Sequence, residues 1–278
     1  MVAIQGSALD IGPMQGEEAA ATRALVGQAL RMTDYIDHLM EQVGPANWRV
    51  ARQGGRPVAG LGMIHGGQWF GGASVPSAQI TGVGVAPEAR GAGVSFALLR
   101  ATLEELQGAG IPLSVLYPST LPVYRKVGYE RAGARITYEL PVHAIDARVQ
   151  DRSLAVVPLG VAPGGEEMVR RAYTIAARRA SGNLDRAPFN WNRVFTPFKR
   201  EPQMYLVTRG GEVEGYIALA PSERDGPLRI LDVCALTGEA AARILALLAD
   251  HRSMFGDFAW SGGPVDPFLF LLSGHEAK

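Results

Sequence analysis

The spacing of apolar residues along the chain predicts a mixed α/β protein in which helices and short strands alternate. Apolar positions recur with a helical period over 17–32, and a second helix is predicted over 34–43. Two apolar strand patterns flank the polar turn 53–56, which is typical of a hairpin. The remaining elements predicted for the first half are a strand at 79–85, a helix at 94–107, a strand at 113–117, a short helix at 121–126 and a closing strand at 136–141.

The second half of the chain repeats the order of elements found in the first half. The segment 207–217 resembles 51–61, because in each a strand meets a Gly-Gly turn and the returning strand carries a glycine, Gly215 and Gly60 respectively. A further strand and an apolar helix then follow in both copies. This pattern favours a duplicated fold, although strand–Gly-Gly–strand hairpins are common enough to match by chance.

We therefore expect two domains in tandem, over 1–145 and 146–278. The segment 142–157 has the composition of a connector, and a long helix over 165–180 is predicted to open the second domain. The apolar residues at 268–272 are predicted to form a buried strand, since their run is far shorter than the ~18 residues of a membrane helix.

Charge and cysteine content narrow the function classes. The 278 residues carry 27 Lys and Arg against 27 Asp and Glu, so the chain lacks the overall basic character of a nucleic-acid binder. Cys234 is the only cysteine, which rules out an intrachain disulfide and a cysteine-based zinc cluster. The five histidines show no metal-ligand spacing, so no metal is expected. With no signal peptide pattern and no membrane span, we expect a cytoplasmic protein without nucleic-acid or membrane partners.

A glycine-bearing loop joins the predicted strand 79–85 to the helix 94–107. Gly91 and Gly93 allow a ligand to approach the backbone, and N–H groups at a helix N-terminus favour a pyrophosphate. Arg90 can add a charge-assisted contact. A tight turn that binds no ligand is the alternative interpretation. The second copy has only Leu-Thr-Gly at 236–238, where Thr237 is predicted to cap the helix, so we expect one such site, in the first domain.

Two segments resemble the GCN5-related N-acetyltransferase (GNAT) family. Residues 83–93, Val-Gly-Val-Ala-Pro-Glu-Ala-Arg-Gly-Ala-Gly, are similar to its signature region. Residues 119–129, which include Tyr124, resemble its short tyrosine-bearing helix. The whole chain most resembles the Eis type, and Arg186 and Trp191 match an Arg- and Trp-rich stretch of those proteins. The resemblance implies an α/β fold with mixed sheets, in two tandem GNAT-like domains of which the second is degenerate.

The resemblance also implies an acetyl-CoA-dependent N-acetyltransferase that transfers the acetyl group directly to a primary amine of a small molecule or a lysine-like side chain. Tyr124 is implied as the general acid that protonates the leaving thiolate, a role for which Tyr117 and Tyr129 compete. Ser119 is also a candidate N-cap for the short helix. The residues implied to bind acetyl-CoA are Val83, Gly84, Val85, Arg90, Gly91, Ala92, Gly93, Val94, Ser95 and Ser119.

The general base is the main departure from the family pattern. Some members carry a glutamate on the motif strand, where this chain has Gln79, which cannot take up a proton usefully. His65, Glu130 and Glu139 are the other candidates. Eis-type proteins carry a third, sterol-carrier-like domain whose terminal carboxylate reaches the active site, and the sequence stops at Lys278, where that domain would begin.

An alternative hypothesis is therefore a non-catalytic acyl-CoA-binding or scaffolding protein on the same fold. The oligomeric state stays open, because Eis-type relatives form oligomers partly through the third domain. A homo-oligomer remains among the expected states.

Overall fold

Two six-stranded sheets organise the part of the chain that the computed structural model describes, which is residues 8–31, 34–145, 152–197, 201–221 and 226–272. The strands are, in chain order, β1 (Leu9–Pro13), β2 (Trp48–Gln53), β3 (Arg56–Phe70), β4 (Ala73–Val85), β5 (Leu113–Val115), β6 (Ile136–Pro141), β7 (Ala155–Pro158), β8 (Leu184–Asp185), β9 (Gln203–Arg209), β10 (Glu212–Leu219), β11 (Leu228–Ala235) and β12 (Asp257–Gly262).

Helices accompany both sheets. They are α1 (Ala19–Leu30), α2 (Ile36–Val43), α3 (Val94–Gly108), α4 (Leu121–Arg125), α5 (Gly165–Ala177), α6 (Pro188–Phe195) and α7 (Gly238–Ala249), with short 3-10 turns between elements. Across the described ranges, every helix is too short or too polar to cross a membrane.

The first unit contains the described residues up to Glu130 together with Leu184–Trp191. Its sheet has the order β1-β2-β3-β4-β5, with β8 paired to β3. All pairs are antiparallel except β4 with β5, which are parallel and pair only over Ser77–Gln79 and Leu113–Val115. β4 therefore continues beyond its partner, which leaves its last residues free to diverge from β5.

Apolar side chains on the two faces of this sheet form separate clusters. On one face, Met63 of β3 and Ile80 of β4 pack with Leu98 and Leu99 of α3. On the other face, α1 and α2 cover the sheet through a cluster that includes Val26, Ile36, Leu39, Trp48, Ile64 and Phe189. Each fully buried aliphatic side chain of this size contributes roughly 2 kcal/mol of transfer free energy. The packing fixes β4 between two covered faces.

Glycines let α1 approach the sheet closely. A Cβ atom on Gly84 would lie 2.9 Å from the Cα of Val26, and one on Gly60 would lie 3.0 Å from Cγ2 of Thr22. Contacts below 3.0 Å to backbone are not tolerated without movement, so the glycine at 84 is required by the helix that covers it. Gly84 is one of the residues that the family resemblance implies for acetyl-CoA binding, and its environment gives it a packing role.

The second unit contains the described residues of 131–183 and those from Asn192 onward. Its sheet has the order β6-β12-β11-β10-β9-β7. Its core is built around buried side chains such as Val207, Ile217, Leu245 and Phe258. The predicted order of hairpin, strand and apolar helix is present in β9, β10, β11 and α7. This confirms the α/β fold class and the resemblance between the two halves.

The division between the units differs from the predicted boundary at 145/146 in two places. β6 was expected to close the first domain, but it pairs with β12 from Asp257↔Pro141 to Gly262↔Ile136 and so belongs to the second sheet. The segment Leu184–Trp191 returns to the first unit. Neither arrangement has a local signature, because both depend on pairing between segments far apart in the chain.

The prediction of a buried strand at 268–272 is wrong. Pro267–Leu271 is a 3-10 turn in which Phe268 is buried and Phe270 is 78% exposed. The turn begins because the Asp266 carboxylate accepts the backbone N–H of Phe268 at 3.0 Å. The connector predicted over 142–157 contains β7, and its residues 146–151 lie outside the described ranges.

Candidate active site

The end of β4 forms an open strand edge in the first unit. Pairing with β5 stops at Gln79, whereas β4 runs on to Val85. The pairing of β3 with β4 shifts between Gly60↔Gly84 and Gly62↔Thr81, so β4 carries one extra residue there. Such a bulge bends the strand and increases its twist. In the described residues no strand pairs with this last part of β4 on the side away from β3. Its main-chain groups on that side are therefore available to a ligand.

Gly82 makes the bulge sterically feasible. It has φ +61°, which favours glycine, and a Cβ there would lie 2.7 Å from the Trp48 ring. The next residues, Val83 and Val85, are partly buried against the apolar cluster on the α3 face. Packing of these side chains holds the open edge in place. The bulge was not predicted from the sequence, since a single glycine in a strand pattern has several explanations.

The loop after β4 presents the N-terminus of α3 without a side-chain cap. Gly91 and Gly93 have φ of +79° and +78°, and Gly93 is the N-cap residue. A Cβ on either glycine would have no atom within 4 Å, so the loop faces open space. The unpaired N–H groups of the first helical turn, around Val94 and Ser95, are therefore suited to an anion. The loop conformation and the uncapped helix start were predicted from the sequence, and the pyrophosphate site stays a prediction.

Charged side chains flank this loop. Arg90 is exposed, and its Nε donates to the carbonyl of Val85 at 3.4 Å. Glu88, also in the loop, forms an exposed ion pair with Arg56 at 3.0 Å. That pairing offsets a negative charge that would otherwise oppose a bound phosphate. Arg56 was not among the predicted residues, because it lies in the hairpin turn and reaches the loop only through the fold.

The three tyrosines that compete for the role of general acid differ in their surroundings. Tyr124, on α4, is buried, and burial raises the pKa of its phenol while a hydrogen bond from Ser119 lowers it in part. The hydroxyl of Tyr129 lies 2.5 Å from Oγ of Ser114, and burial raises its pKa too. The two rings meet edge to face, with centroids 6.1 Å apart. Tyr117 is 78% exposed. Tyr124 thus combines a buried ring with an exposed hydrogen-bond partner.

The N-cap prediction for Ser119 is wrong. Thr120 is the N-cap residue of α4, and its side chain makes no capping hydrogen bond. The Ser119 side chain is instead hydrogen-bonded to Tyr124. The helix begins at Leu121, as predicted, and Thr120 takes the N-cap position because its backbone is extended and Pro122 supplies a preorganised first turn.

Gln79 lies on β4, at the strand position that the family resemblance implies for a general base. Its side-chain amide is paired reciprocally with that of Asn190: Nε2 donates at 3.1 Å and Oε1 accepts at 3.0 Å. Oδ1 of Asn190 also accepts the backbone N–H of Ala187 at 3.0 Å. Both amides are therefore held in one orientation. Asn190 was not predicted as a site residue, because it lies 111 residues away in the chain.

The other candidate bases lie in different surroundings. Glu130 forms an ion pair with Arg125 at 3.0 Å. Glu139 lies on β6, in the second unit. His65 is exposed on β3 and helps to lower the pKa of Glu105, to which Arg49 makes the larger contribution.

The corresponding position in the second unit has a capped helix. Oγ1 of Thr237 accepts the backbone N–H of Ala240 at 3.1 Å, as predicted, so one N–H group of the first turn of α7 already has a side-chain partner. In the described ranges, no group of three or more His, Cys, Asp and Glu is arranged to hold a metal ion. The open helix N-terminus next to an open strand edge is therefore a feature of the first unit.

Comparisons with known families match both units to acetyltransferases. Family models described as "Acetyltransferase (GNAT) domain" match residues 10–132 and residues 182–277. An "Uncharacterized N-acetyltransferase" of Streptomyces avermitilis is 31% identical over 207 residues, which cover 65% of this chain and 47% of the relative. A second, from Streptomyces coelicolor, is 29% identical and is covered over 50% of its length. The chain thus spans about half the length of these curated relatives.

Solved structures share the fold over nearly the whole chain. A GCN5-related N-acetyltransferase from Anabaena variabilis ATCC 29413 is 32% identical, with a TM-score of 0.88, and the match covers 98% of this chain and 70% of that one. Eis1 from Mycobacterium abscessus has a TM-score of 0.75 at 22% identity, with the same coverage. The second likeness concerns the fold alone.

Proposed function

The chain belongs to the GCN5-related N-acetyltransferase family, and from this premise we propose that its first unit transfers the acetyl group of acetyl-CoA to a primary amine. The observation that carries the proposal is the juxtaposition, at the end of β4, of an open strand edge and an uncapped helix N-terminus. The edge suits an extended pantetheine arm, and the helix suits a pyrophosphate. The acceptor would be the amine of a small molecule or of a lysine-like side chain.

The phosphate end of the substrate is assigned to the loop before α3. Backbone N–H groups of Gly91, Ala92, Gly93, Val94 and Ser95 would donate to the pyrophosphate, and Arg90 would add a charged contact. The open space in front of Gly91 and Gly93 supports this assignment, since a side chain at either position would enter it.

The acetyl end is assigned to the bulged part of β4. Main-chain groups of Val83 and Val85 would hold the pantetheine amide and the thioester carbonyl. An N–H group directed at that carbonyl stabilises the negative charge that develops on its oxygen during attack. The bulge supports this assignment because it bends β4 where the sheet no longer pairs on that side.

The proposed reaction is a direct transfer. The amine nitrogen attacks the thioester carbon, a C–N bond forms, and the carbonyl electron pair moves to oxygen. When that pair returns, the C–S bond breaks, and the sulfur takes the phenolic proton of Tyr124. The ammonium group loses one proton to solvent, and the phenolate regains one, giving the N-acetyl product and the free thiol of CoA. Burial raises the pKa of Tyr124, which keeps the phenol protonated at neutral pH.

We assign no side chain as the general base. At the position on β4 where the family resemblance implies a base, this chain has Gln79. Its side-chain amide is hydrogen-bonded to that of Asn190. The acceptor would therefore lose its proton to water before attack. This favours amines with a substantial neutral fraction at the working pH.

Two measurements test the proposal. Acetyl-CoA should raise the melting temperature of the protein, by the linkage expected for a ligand that binds only the folded state. Release of CoA thiol should then depend on an added primary amine. The absence of a melting shift would contradict the acetyl-CoA site, and binding without thiol release for every amine tested would contradict the transferase activity.

The second outcome would favour a non-catalytic acyl-CoA-binding protein. The observation behind that alternative is the same Gln79–Asn190 pair, which replaces a carboxylate by a neutral amide. For either function we propose a cytoplasmic location, where acetyl-CoA is available and the single Cys234 stays reduced. A homo-oligomeric assembly also stays a proposal.

A further inference from the structure

Resting on the proposed function, we infer that Leu184–Trp191, here called the returning segment, is a wall of the acceptor site and that its Asn190 determines acceptor specificity. The segment lies in the second half of the sequence, yet it belongs to the first unit. Its first two residues form β8, which pairs with β3 at Gly67↔Asp185 and Gln68↔Leu184. It therefore extends the sheet that carries the proposed acetyl-CoA site.

The sheet is shaped to receive this segment. A Cβ on Gly67 would lie 3.1 Å from Cβ of Asp185, and one on Gly66 would lie 3.3 Å from the Asp185 carbonyl oxygen. Oγ of Ser74 donates to the Asp185 carboxylate at 2.7 Å. Two consecutive glycines and a side-chain hydrogen bond thus hold the beginning of the segment against β3 and β4.

The end of the segment is held by the amide pair. The side-chain amides of Asn190 and Gln79 each donate a hydrogen bond to the other. Oδ1 of Asn190 also accepts the backbone N–H of Ala187. The buried side chain of Phe189 joins the apolar cluster that contains Ile64. The guanidinium of Arg186 lies over the Trp191 ring, 4.9 Å from its centroid. These contacts fix the conformation of the returning segment along its length.

Pairing between strands shows which face of the sheet the segment covers. Gln79 is directly opposite Ile64, and Ile80 is directly opposite Met63. Met63 and Ile80 pack on the α3 face, so Gln79 and Ile64 point to the other face. The part of the returning segment that carries Phe189 and Asn190 therefore lies on the face of β4 opposite α3.

The acceptor amine would then approach from that face. A planar carbonyl is attacked from above or below its plane, and the proposed phosphate site, at the N-terminus of α3, lies on the α3 side. The cluster of α1 and α2 covers the other face around Val26 and Trp48, and the returning segment adjoins that cluster through Phe189, next to Gln79. The last residue of β4 paired with β5 is Gln79, so the Gln79–Asn190 pair lies where the strands begin to part. An acceptor entering on this side would meet the amide pair beside its nitrogen and the rest of the segment beyond it.

The experiment measures amine binding to the full chain saturated with CoA, which cannot transfer an acetyl group. Phenethylamine, hexylamine and 1,6-diaminohexane would be titrated calorimetrically into the wild type and into Asn190→Ala. We expect the ratio of Kd values between the strongest and weakest amines to change by about fivefold or more, as for loss of a positioned polar contact. The melting shift caused by acetyl-CoA should be unchanged.

Two further variants separate acceptor selection from a general loss of stability. Asn183→Ala removes an amide just before the segment, whose Nδ2 donates to the Ala177 carbonyl at 3.1 Å, and it should leave the amine ratios unchanged. The exchange Gln79→Asn with Asn190→Gln keeps a complementary amide pair and should restore part of the wild-type ratio.

The inference is overturned if Asn190→Ala keeps all amine ratios within about twofold of the wild type, or if no amine in the panel binds the CoA-loaded wild type. Failure of the proposed function has a different signature. In that case acetyl-CoA would give no melting shift, or amines would bind without releasing thiol, whatever happens to the Kd ratios.

Discussion

The hydroxyl oxygen of Tyr129 lies 2.5 Å from Oγ of Ser114, whereas the neighbouring Tyr124 is hydrogen-bonded to Ser119. The two phenols are thus distinguished by their partners, since Ser114 lies on β5 and Ser119 is an exposed residue just before α4. A general acid must recover its proton in every cycle, which requires a path to solvent. In the proposed role of Tyr124 as the acid, its hydrogen bond to the exposed Ser119 would supply that path.

Tyr124→Phe should therefore lower kcat by about 10²- to 10⁴-fold, the usual contribution of a positioned general acid. Thiol release under saturating acetyl-CoA measures this effect. Tyr129→Phe is the matched control. It loses the hydrogen bond to Ser114, which should lower the free energy of unfolding by about 1 kcal/mol, but it should keep most of the activity. Equal losses of kcat in the two variants would contradict the assignment of Tyr124.

The pH dependence of kcat should respond to Ser119. A general acid works in its protonated form, so activity is lost as pH rises through the pKa of Tyr124, which burial places above its ordinary value near 10. The bond from Ser119 favours the phenolate and lowers that pKa. Ser119→Ala should then move the alkaline limb to higher pH and lower kcat at neutral pH several-fold, because a weaker acid protonates the thiolate more slowly.

Ser119→Thr keeps a hydroxyl and serves as the control for that experiment. It should return both kcat and the alkaline limb toward the wild type. If the alkaline limb of the pH profile stayed in place in Ser119→Ala, or moved to lower pH, Ser119 would not be lowering the pKa of Tyr124.

Local signals were sufficient for much of the fold. The Gly-Gly turns have φ of +58° and +76° at Gly54 and Gly55, and +56° and +89° at Gly210 and Gly211, so the sequence pattern identified both hairpins through their backbone requirement. The loop before α3 was also predicted, since its glycines have a local conformational role. Local residues also predicted the two helix starts. Gly93 leaves the N-terminus of α3 without a side-chain cap, and Thr237 caps the N-terminus of α7.

Long-range features were missed for a physical reason. The predicted strand 79–85 begins at Ala73 in the structure, because pairing with β3 continues past Pro76, a residue that disrupts a strand pattern. The pairing of Gln79 with Asn190 joins residues 111 positions apart, and β6 joins a sheet with β12. Periodicity within one segment contains no information about such partners.

Gly93→Asp should abolish the melting shift caused by acetyl-CoA. The substitution places a carboxylate at the N-cap of α3, where it would accept the N–H groups of the first turn and repel a phosphate. Gly110→Asp is the control at the opposite end of α3, since Gly110 has a similar φ of +73° and open space around it. Both variants carry a comparable backbone strain of about 1 kcal/mol, but the shift should survive in Gly110→Asp. A normal shift in Gly93→Asp would place the phosphate elsewhere.

Gly84→Ala should lower the free energy of unfolding by about 1–3 kcal/mol, because the added methyl group must displace the α1 backbone at Val26. Gly12→Ala on β1 is the matched change, as its Cβ would approach nothing closer than 3.9 Å. Denaturant unfolding of the two variants measures the difference. If Gly84→Ala proved as stable as Gly12→Ala, close packing of α1 on β4 would not be the reason that position 84 requires glycine.

Acid sensitivity of the first unit should depend on Glu18 and Arg52. Nε of Arg52 donates to the Glu18 carboxylate at 2.8 Å, and both side chains are about nine-tenths buried. The hydrogen bond with Arg52 lowers the pKa of Glu18 below its ordinary value of 4.5, against the opposing effect of burial. A lowered folded-state pKa gives a contribution that is complete above the unfolded value and is lost as pH falls through the folded value.

Glu18→Gln should therefore be less stable than the wild type by about 1–3 kcal/mol at pH near 7, the range for a charged hydrogen bond. The difference in the free energy of unfolding should begin to shrink as pH falls below 4.5, where the unfolded wild-type chain takes up the proton, and should be lost as pH falls through the lower folded-state pKa, where the folded carboxylate is protonated too. Glu104→Gln, which breaks the exposed pair with Arg100 at 2.8 Å, should change stability by less than about 0.5 kcal/mol at any pH. Urea unfolding at a series of pH values measures the stability of both variants. If the difference in unfolding free energy between the wild type and Glu18→Gln did not change with pH, the effect of the substitution would come from packing rather than from charge.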